Sequence, residues 1–151
     1  MSVALVWFRR DLRVGDHPAL QQALADGHTP LPVYITEPED GPWPMGAASR
    51  WWLHHSLASL KASLQALGSD LLILSGDALG QLRKLCTLAG ARQLYWNRCY
   101  EPWCIQRDTQ VSAVLDHRTA KHVGLRRPTT VIDVHAIGLC TDGNHPRTQI
   151  F

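Results

Sequence analysis

Three arginines and two aspartates lie just after the first apolar run of the chain. Arg9, Arg10 and Arg13 carry guanidinium groups, each of which offers two parallel N–H donors to a carboxylate or a phosphate. Asp11 and Asp16 lie among them and could instead pair with the arginines and fix the loop. The residue types therefore leave anion binding and internal salt bridges equally open.

A second set of polar and aromatic side chains lies between residues 97 and 103. Asn97 and Glu101 are followed by Trp103, whose indole could stack on a planar heterocycle. The Glu101 carboxylate could accept a hydrogen bond from a ring N–H. Whether the two sets form one site depends on the elements that carry them.

The signature motifs of common nucleotide, hydrolase and metal sites are missing from the sequence. There is no G-x-G-x-x-G, G-x-x-x-x-G-K-[ST], G-x-S-x-G or H-E-x-x-H. Cys86, Cys99, Cys104 and Cys140 include no Cys-x-x-Cys pair, so the sequence predicts reduced thiols and no metal site. The residues alone predict an α/β domain with a pocket and leave its chemistry open.

Composition limits the class of protein. The 151 residues are 45% hydrophobic and 19% charged with a net charge of +2, which is typical of one soluble domain and does not indicate a nucleic-acid or membrane-surface partner. The apolar runs Val3–Phe8 and Leu71–Leu74 are far shorter than the ~20 residues of a membrane span. We expect a cytoplasmic protein that is a monomer or a weak oligomer.

Short apolar runs alternate with amphipathic stretches along the chain. The stripe Leu53, Leu57, Leu60, Leu64 and Leu67 is the clearest helical pattern, and Gly68 follows it. The pattern predicts the strand Val3–Phe8, a helix from Pro18 capped by Asp16 and ended by Gly27, the strand Leu31–Ile35, a helix from Ser49, the buried strand Leu71–Leu74, a helix between Asp77 and Gly90, the strand Gln93–Trp96, a helix from Pro102 to about Leu115, and a fifth strand within Val131–Ile137.

This order predicts an α/β fold, an open parallel sheet of about five strands with helices on both faces. The carboxyl ends of parallel strands meet at one edge, where helix amino termini favour anions. The loops after the first and fourth strands should therefore adjoin. The predicted small-molecule pocket is lined by Arg9, Arg10, Asp11, Arg13, Asn97, Glu101 and Trp103.

The tryptophans and paired histidines have simpler interpretations. We expect core packing for Trp7 and Trp96 in strands and for Trp51 and Trp52 at a helix start. Exposure is expected for Trp43 in a proline-rich loop and for Trp103. The pair His54-His55 is expected to place one ring at the edge of the core and the other in solvent.

Four segments, in order over residues 3–111, resemble the amino-terminal domain of the DNA photolyase and cryptochrome family. They are Leu5–Arg13 with Asp16–Leu20, then Ser49–Leu53 with Ser56, Leu57 and Leu60, then Leu71–Asp77, and last Trp96–Arg98 with Tyr100–Pro102, Arg107 and Asp108. Residues 112–140 match the family poorly. The resemblance implies a Rossmann-like domain with its core in residues 1–115 and a weakly matching end in residues 116–151.

In that family, the amino-terminal domain carries a light-harvesting antenna chromophore. A separate helical domain downstream holds the catalytic FAD, the tryptophan relay and the pocket for damaged DNA. The resemblance therefore implies an antenna domain of a deoxyribodipyrimidine photolyase, without repair activity of its own in these 151 residues. Damaged DNA would be a partner only through the helical domain, which is absent from this sequence.

The chromophore and the branch of the family stay open at this point. The antenna is a flavin, a deazaflavin or a reduced folate, with an arginine holding its phosphate or glutamyl tail. Trp103 and Cys104 occupy positions that are polar in folate-type members, which favours a flavin, a deazaflavin or an empty pocket. The alternatives are the amino-terminal domain of a cryptochrome photoreceptor and a nucleotide-binding α/β domain with no role in light capture.

Overall fold

The computed structural model describes residues 2–37, 44–115, 121–122 and 129–133. Strands and helices alternate up to residue 115, as the apolar patterns predict. The elements are β1 (Val3–Phe8), α1 (Pro18–Ala25), β2 (Thr29–Thr36), α2 (Ala47–Ala66), β3 (Leu72–Ser75), α3 (Ala78–Ala89), β4 (Gln93–Asn97), α4 (Pro102–Leu115), β5 (Lys121–His122) and β6 (Thr129–Asp133).

The sheet has the order β3-β2-β1-β4-β6-β5. Strands β1 to β4 are parallel, which confirms the predicted α/β class. The chain builds outward from β1 to β2 and β3 and then returns to place β4 on the other side of β1. Strand order therefore reverses between β1 and β4, the position where open α/β sheets bind their ligands.

The far end of the sheet differs from the predicted all-parallel arrangement. It contains two strands, and β6 runs antiparallel to both β4 and β5. The strand next to β4 in the sheet therefore runs against the direction of β1 to β4, and β5 beyond it runs in their direction again. The predicted fifth strand is thus β6, and the described sheet has six strands rather than about five.

Helices cover both faces of the sheet, as predicted. On one face, α3 and α4 pack through Leu82, Cys86 and Val111 against strand residues that include Trp7 and Trp96. On the other face, α1 and α2 pack against β1 through buried apolar side chains that include Ala19, Leu20, Leu57, Leu60 and Leu64. The burial of Trp7 and Trp96 confirms the expectation of core packing for both.

Helix α1 is capped by a different residue from the one predicted. His17, not Asp16, is the N-cap, and its Nδ1 accepts a hydrogen bond from the Leu20 N–H at 3.1 Å. Asp16 adopts φ +52°, a left-handed conformation that aspartate tolerates better than most residues. Asp16 therefore forms the turn that leads into the helix, and the histidine satisfies the free N–H group.

Three expectations about burial are wrong. Strand β3 is an edge strand whose side chains alternate between half-buried and exposed, because only β2 flanks it. Trp51 and Trp52 are 59% and 66% exposed, since the first turns of α2 present them to solvent rather than to the sheet. His54 and His55 are both exposed, whereas one of the two rings was expected at the edge of the core.

Within the described residues, no helix is both long and apolar enough to cross a bilayer. Trp43, Cys140 and the last part of the predicted strand Val131–Ile137 lie outside the described residues. Most of residues 116–151 also lie outside them, so their assignment to the end of the same domain stays a prediction.

Candidate functional site

The loops that follow β1 and β4 meet at the carboxyl edge of the sheet. The two strands are adjacent and parallel, with Trp7 opposite Trp96 in the register. Arg9 and Asn97 are consequently brought together from positions 88 residues apart in the chain. The two predicted sets of polar residues lie together in the structure. Their side chains divide into an inner group, which is largely buried, and an outer group, which is accessible to solvent. The inner group is Arg9, Asp11 and Asn97, and the outer group is Arg10, Glu101 and Trp103.

Asn97 is the hub of the inner group. Its Oδ1 accepts a hydrogen bond from the Ala19 N–H at 3.1 Å, and its Nδ2 donates to Asp11. Its backbone carbonyl accepts a hydrogen bond from Arg9. One amide residue thus ties the end of β4 to the loop after β1 and to the amino terminus of α1.

His17 and Asp11 form a buried pair beside this hub. The His17 ring is fully buried, and its Nε2 lies 2.9 Å from Asp11 Oδ2. Because Nδ1 accepts a hydrogen bond from the Leu20 N–H, Nε2 carries the ring proton and donates a hydrogen bond to the carboxylate. Burial alone would raise the pKa of Asp11, but the hydrogen bonds from His17 and Asn97 outweigh that effect and hold the pKa below its usual range.

Arg9 belongs to the inner group and not to an open anion site. Its Nη1 donates to Asp108 on α4 at 2.6 Å, and only 8% of the residue is exposed. Its guanidinium also lies 4.9 Å from the ring centroid of Trp7. This arginine therefore binds an internal carboxylate and fixes α4 against the sheet.

The outer group faces solvent. Arg10 forms an ion pair with Glu101, and its guanidinium lies 5.2 Å from the ring centroid of Trp103. The side chains of Arg10 and Glu101 are 63% and 39% exposed. Trp103 is partly exposed, as expected from the sequence. A cation, a carboxylate and an aromatic face are thus side by side and accessible.

Arg13 lies outside both groups. It is exposed, and its guanidinium donates to the backbone carbonyl of Asp16 at 3.1 Å. The structure therefore places Arg9, Asp11 and Asn97 inside, Arg10, Glu101 and Trp103 outside, and Arg13 in the turn before α1.

Arg107 and Glu37 also reach this edge, although neither was among the predicted site residues. Glu37 follows β2 and forms an ion pair with Arg107 on α4, whose guanidinium lies 4.9 Å from the ring centroid of Trp7. Burial raises the pKa of Glu37 and outweighs the opposing effect of Arg107. The position of Glu37 after a predicted strand was the only signal that could have indicated it.

Unused donor groups surround Trp7. Among the described residues, the buried N–H donors without a hydrogen-bond partner are Trp7 Nε1, Trp96 Nε1, Arg9 Nε and Arg107 Nε. Buried donors are normally satisfied by protein, water or a ligand. These four donors are buried, so they belong to the packing around Trp7; the groups that suit a planar heterocycle with an anionic tail are the exposed Arg10, Glu101 and Trp103.

Comparison with known proteins assigns the family. Residues 4–148 match the DNA photolyase family over almost the whole chain. The chain belongs to the DNA photolyase family. Its described residues form the α/β fold of the amino-terminal domain found in photolyases and cryptochromes, which confirms the resemblance inferred from the sequence.

Both branches of the family are among the similar proteins. A deoxyribodipyrimidine photo-lyase of Agrobacterium fabrum is 49% identical over 98 residues, which cover 65% of this chain and 20% of the relative. Cryptochrome-2 of Arabidopsis thaliana is 43% identical over 116 residues, which cover 76% of this chain and 19% of the relative. The chain thus spans about a fifth of the length of these family members.

Solved structures of family members share the fold. The class III photolyase of Agrobacterium tumefaciens superimposes with a TM-score of 0.71 at 44% identity, covering 76% of this chain and 23% of the photolyase. The photolyase of Sulfolobus tokodaii superimposes with a TM-score of 0.65 at 28% identity, and the match covers 73% of this chain and 26% of the photolyase. That photolyase is described with two FAD molecules and with the implication of a novel light-harvesting cofactor.

Proposed function

We propose that this chain is the antenna-chromophore domain of a DNA photolyase, and that the outer group is where the chromophore binds. The observation that carries the proposal is the exposed cluster of Arg10, Glu101 and Trp103, which lies beside the point where strand order reverses. The Sulfolobus tokodaii photolyase supports the proposal, since it is described with two FAD molecules and with the implication of a light-harvesting cofactor.

Each residue of the outer group has a distinct role in the proposed site. Trp103 stacks on the planar ring system, Glu101 accepts a hydrogen bond from a ring N–H, and Arg10 binds a phosphate or carboxylate tail. Arg10 and Glu101 form an ion pair in the free chain, so both side chains lie side by side before the chromophore binds. The bound chromophore supplies absorption of near-ultraviolet or blue light and energy transfer to the FAD of a helical domain.

The inner group has a positioning role. Arg9, Asp11 and Asn97 are bound to Asp108, His17 and each other, so they hold the two loops rather than the chromophore. Arg13 fixes the turn at Asp16. This division narrows the seven residues predicted from the sequence to three that contact the chromophore directly.

A flavin or deazaflavin is the favoured chromophore. Trp103 supplies an aromatic face, and the Cys104 beside it is buried, so the start of α4 is more apolar than a folate-type site. The proposal applies to a photolyase and to a cryptochrome alike, because relatives of both kinds match this domain.

The first prediction concerns chromophore affinity. In titrations with flavin mononucleotide, FAD, a deazaflavin and reduced folate, we expect saturable binding of one flavin-type compound, measured by fluorescence. Glu101→Ala should weaken that binding about 5- to 150-fold, which corresponds to roughly 1–3 kcal/mol for a hydrogen bond to a charged group. Trp103→Ala should weaken it by a similar factor, because stacking on the ring is lost.

Trp52→Ala is the matched control for Trp103→Ala, since it removes another exposed indole far along the chain. It should leave the affinity unchanged. The proposed site is wrong if no compound binds, or if Glu101→Ala and Trp103→Ala both bind as tightly as the parent chain.

The second prediction concerns repair and DNA. We expect the 151-residue chain not to split pyrimidine dimers under blue light, with or without added FAD, because the family places the catalytic FAD and the repair site in a helical domain. With a net charge of only +2, its binding to duplex DNA should be weak and non-specific. Light-dependent dimer reversal, or micromolar binding that prefers damaged DNA at physiological salt, would contradict the antenna assignment.

A further inference from the structure

Two cysteines and a glutamate converge at the start of α4. Cys99 lies in the loop after β4, Glu101 precedes the helix, and Cys104 is in its first turn. One ligand atom from each, the two sulfurs and a carboxylate oxygen, lies within 4.8 Å of the other two. Both thiols are free, and Cys104 is buried while Cys99 is half-buried.

The cluster arises from the fold and not from a recognisable spacing. The sequence pattern predicts no metal site, because Cys99 and Cys104 are five residues apart and form no Cys-x-x-Cys pair. In the structure, Pro102 begins α4, so the chain turns from the loop into the helix between the two cysteines. This turn brings Cys104 back beside Cys99.

We propose that Cys99, Glu101 and Cys104 bind a thiophilic divalent cation, zinc foremost, with the fourth position open to water. Two thiolates and one carboxylate are typical zinc ligands. In a tetrahedral site with zinc–sulfur bonds of about 2.3 Å, the ligand atoms are roughly 3.7 Å apart. Side-chain rotations that bring the atoms closer by about 1 Å therefore complete the site.

The charges of the cluster suit a divalent ion. When both thiols are ionised, the two thiolates and the Glu101 carboxylate carry three negative charges. The cation and the guanidinium of Arg10, which pairs with Glu101, neutralise them. Glu101 has two oxygens, so it can keep the Arg10 contact and still bind the metal. A site that is neutral overall is favourable beside the buried Cys104.

Metal binding at this cluster must displace protons. A cation binds the thiolate and not the thiol, so protons and the metal compete for the sulfurs of Cys99 and Cys104. Each cysteine that binds the cation releases its proton to the solvent. We expect the affinity for zinc to increase as the pH rises from 6 to 8.

The experiment titrates the full chain with cobalt and zinc, in a phosphine reductant and with no chromophore present. Cobalt should give a thiolate charge-transfer band that saturates at one equivalent and is bleached by zinc. Cys99→Ser should abolish that band and reduce the affinity for zinc at least about tenfold. Mutation of a residue that only hydrogen-bonds to a metal ligand already costs about 10- to 100-fold, so the loss of a ligand should cost no less. Because Cys99 is half-buried, this variant is expected to fold.

Three further variants make the result specific. Cys104→Ser should abolish the band, and Glu101→Gln should weaken zinc binding while the band remains. Cys86→Ser removes a thiol that α3 buries in the core, and it should leave the titration unchanged. The proposal is overturned if no band appears, if the band survives in Cys99→Ser, or if Cys140→Ser removes it instead.

This inference goes beyond the proposed function and fails independently of it. The two proposed sites share only Glu101. Cys99→Ser should lose the metal while binding the chromophore as the parent does. Chromophore binding without metal binding would leave the antenna assignment intact and remove the metal site. The reverse outcome would remove the antenna site alone.

Discussion

We expect Arg9→Ala to lower the free energy of unfolding by about 3–5 kcal/mol, the usual loss when one partner of a buried ion pair is removed. The arginine is nearly inaccessible, and its Nη1 lies 2.6 Å from Asp108. In the variant, the Asn97 carbonyl loses the donor from Arg9, and the Asp108 carboxylate keeps only its longer ion pair with Arg107, at 3.5 Å. Urea unfolding followed by circular dichroism measures the effect.

Arg13→Ala is the matched control for this experiment. It removes an exposed guanidinium from the same loop and should change stability by less than about 0.5 kcal/mol. The double variant Arg9→Ala with Asp108→Ala should lose less than the sum of the two single losses, because no unpaired carboxylate remains. An Arg9→Ala variant as stable as the parent would show that the pair contributes nothing to the fold.

We expect Asp11→Ala to cost about 2–4 kcal/mol at neutral pH, because it leaves buried donors without an acceptor. The Nε2–H of His17 and the Nδ2–H of Asn97 both donate to this carboxylate. Asp16→Asn is the control, since it removes a neighbouring exposed carboxylate and asparagine tolerates the positive φ at that position. It should be close to neutral.

The contribution of Asp11 should depend on pH in a defined direction. Its pKa in the folded chain lies below the value of 3.8 that it has when exposed. A carboxylate with a lowered pKa stabilises the fold above its unfolded-state pKa and loses that contribution as the pH falls toward the folded-state pKa. The difference between parent and Asp11→Ala should therefore be constant above about pH 5 and shrink below pH 3.8. A difference that grows in acid would contradict the assigned hydrogen bonds.

Local features of the sequence predicted most of the elements. The leucine stripe of α2, the Asp77 cap of α3 and the left-handed Gly90 after it depend only on residues a few positions apart. Such patterns are readable because the helical repeat and its end conditions are set within about two turns. The alternation of strands and helices then predicted the parallel part of the sheet.

Exposure and capping were less predictable, because they depend on which face of an element meets another element. Trp51 and Trp52 precede the leucine stripe but lie beyond the part of α2 that packs on the sheet. His17 replaced Asp16 as the cap because its ring packs at 4.4 Å on Phe8 and reaches both Leu20 and Asp11. Residue preferences for helix capping do not predict this set of contacts, because it depends on how the loop folds onto β1.

The sequence determined that two loops rich in charged and aromatic residues lie at the carboxyl edge of an α/β sheet. Only the tertiary structure decided what each side chain does there. Arg9 and Arg10 are neighbours of the same type, yet one is buried against Asp108 and the other is exposed beside Glu101. Their partners lie 99 and 91 residues away. A short-range pattern fixes backbone geometry, whereas the role of a charge depends on the distant groups that folding places against it.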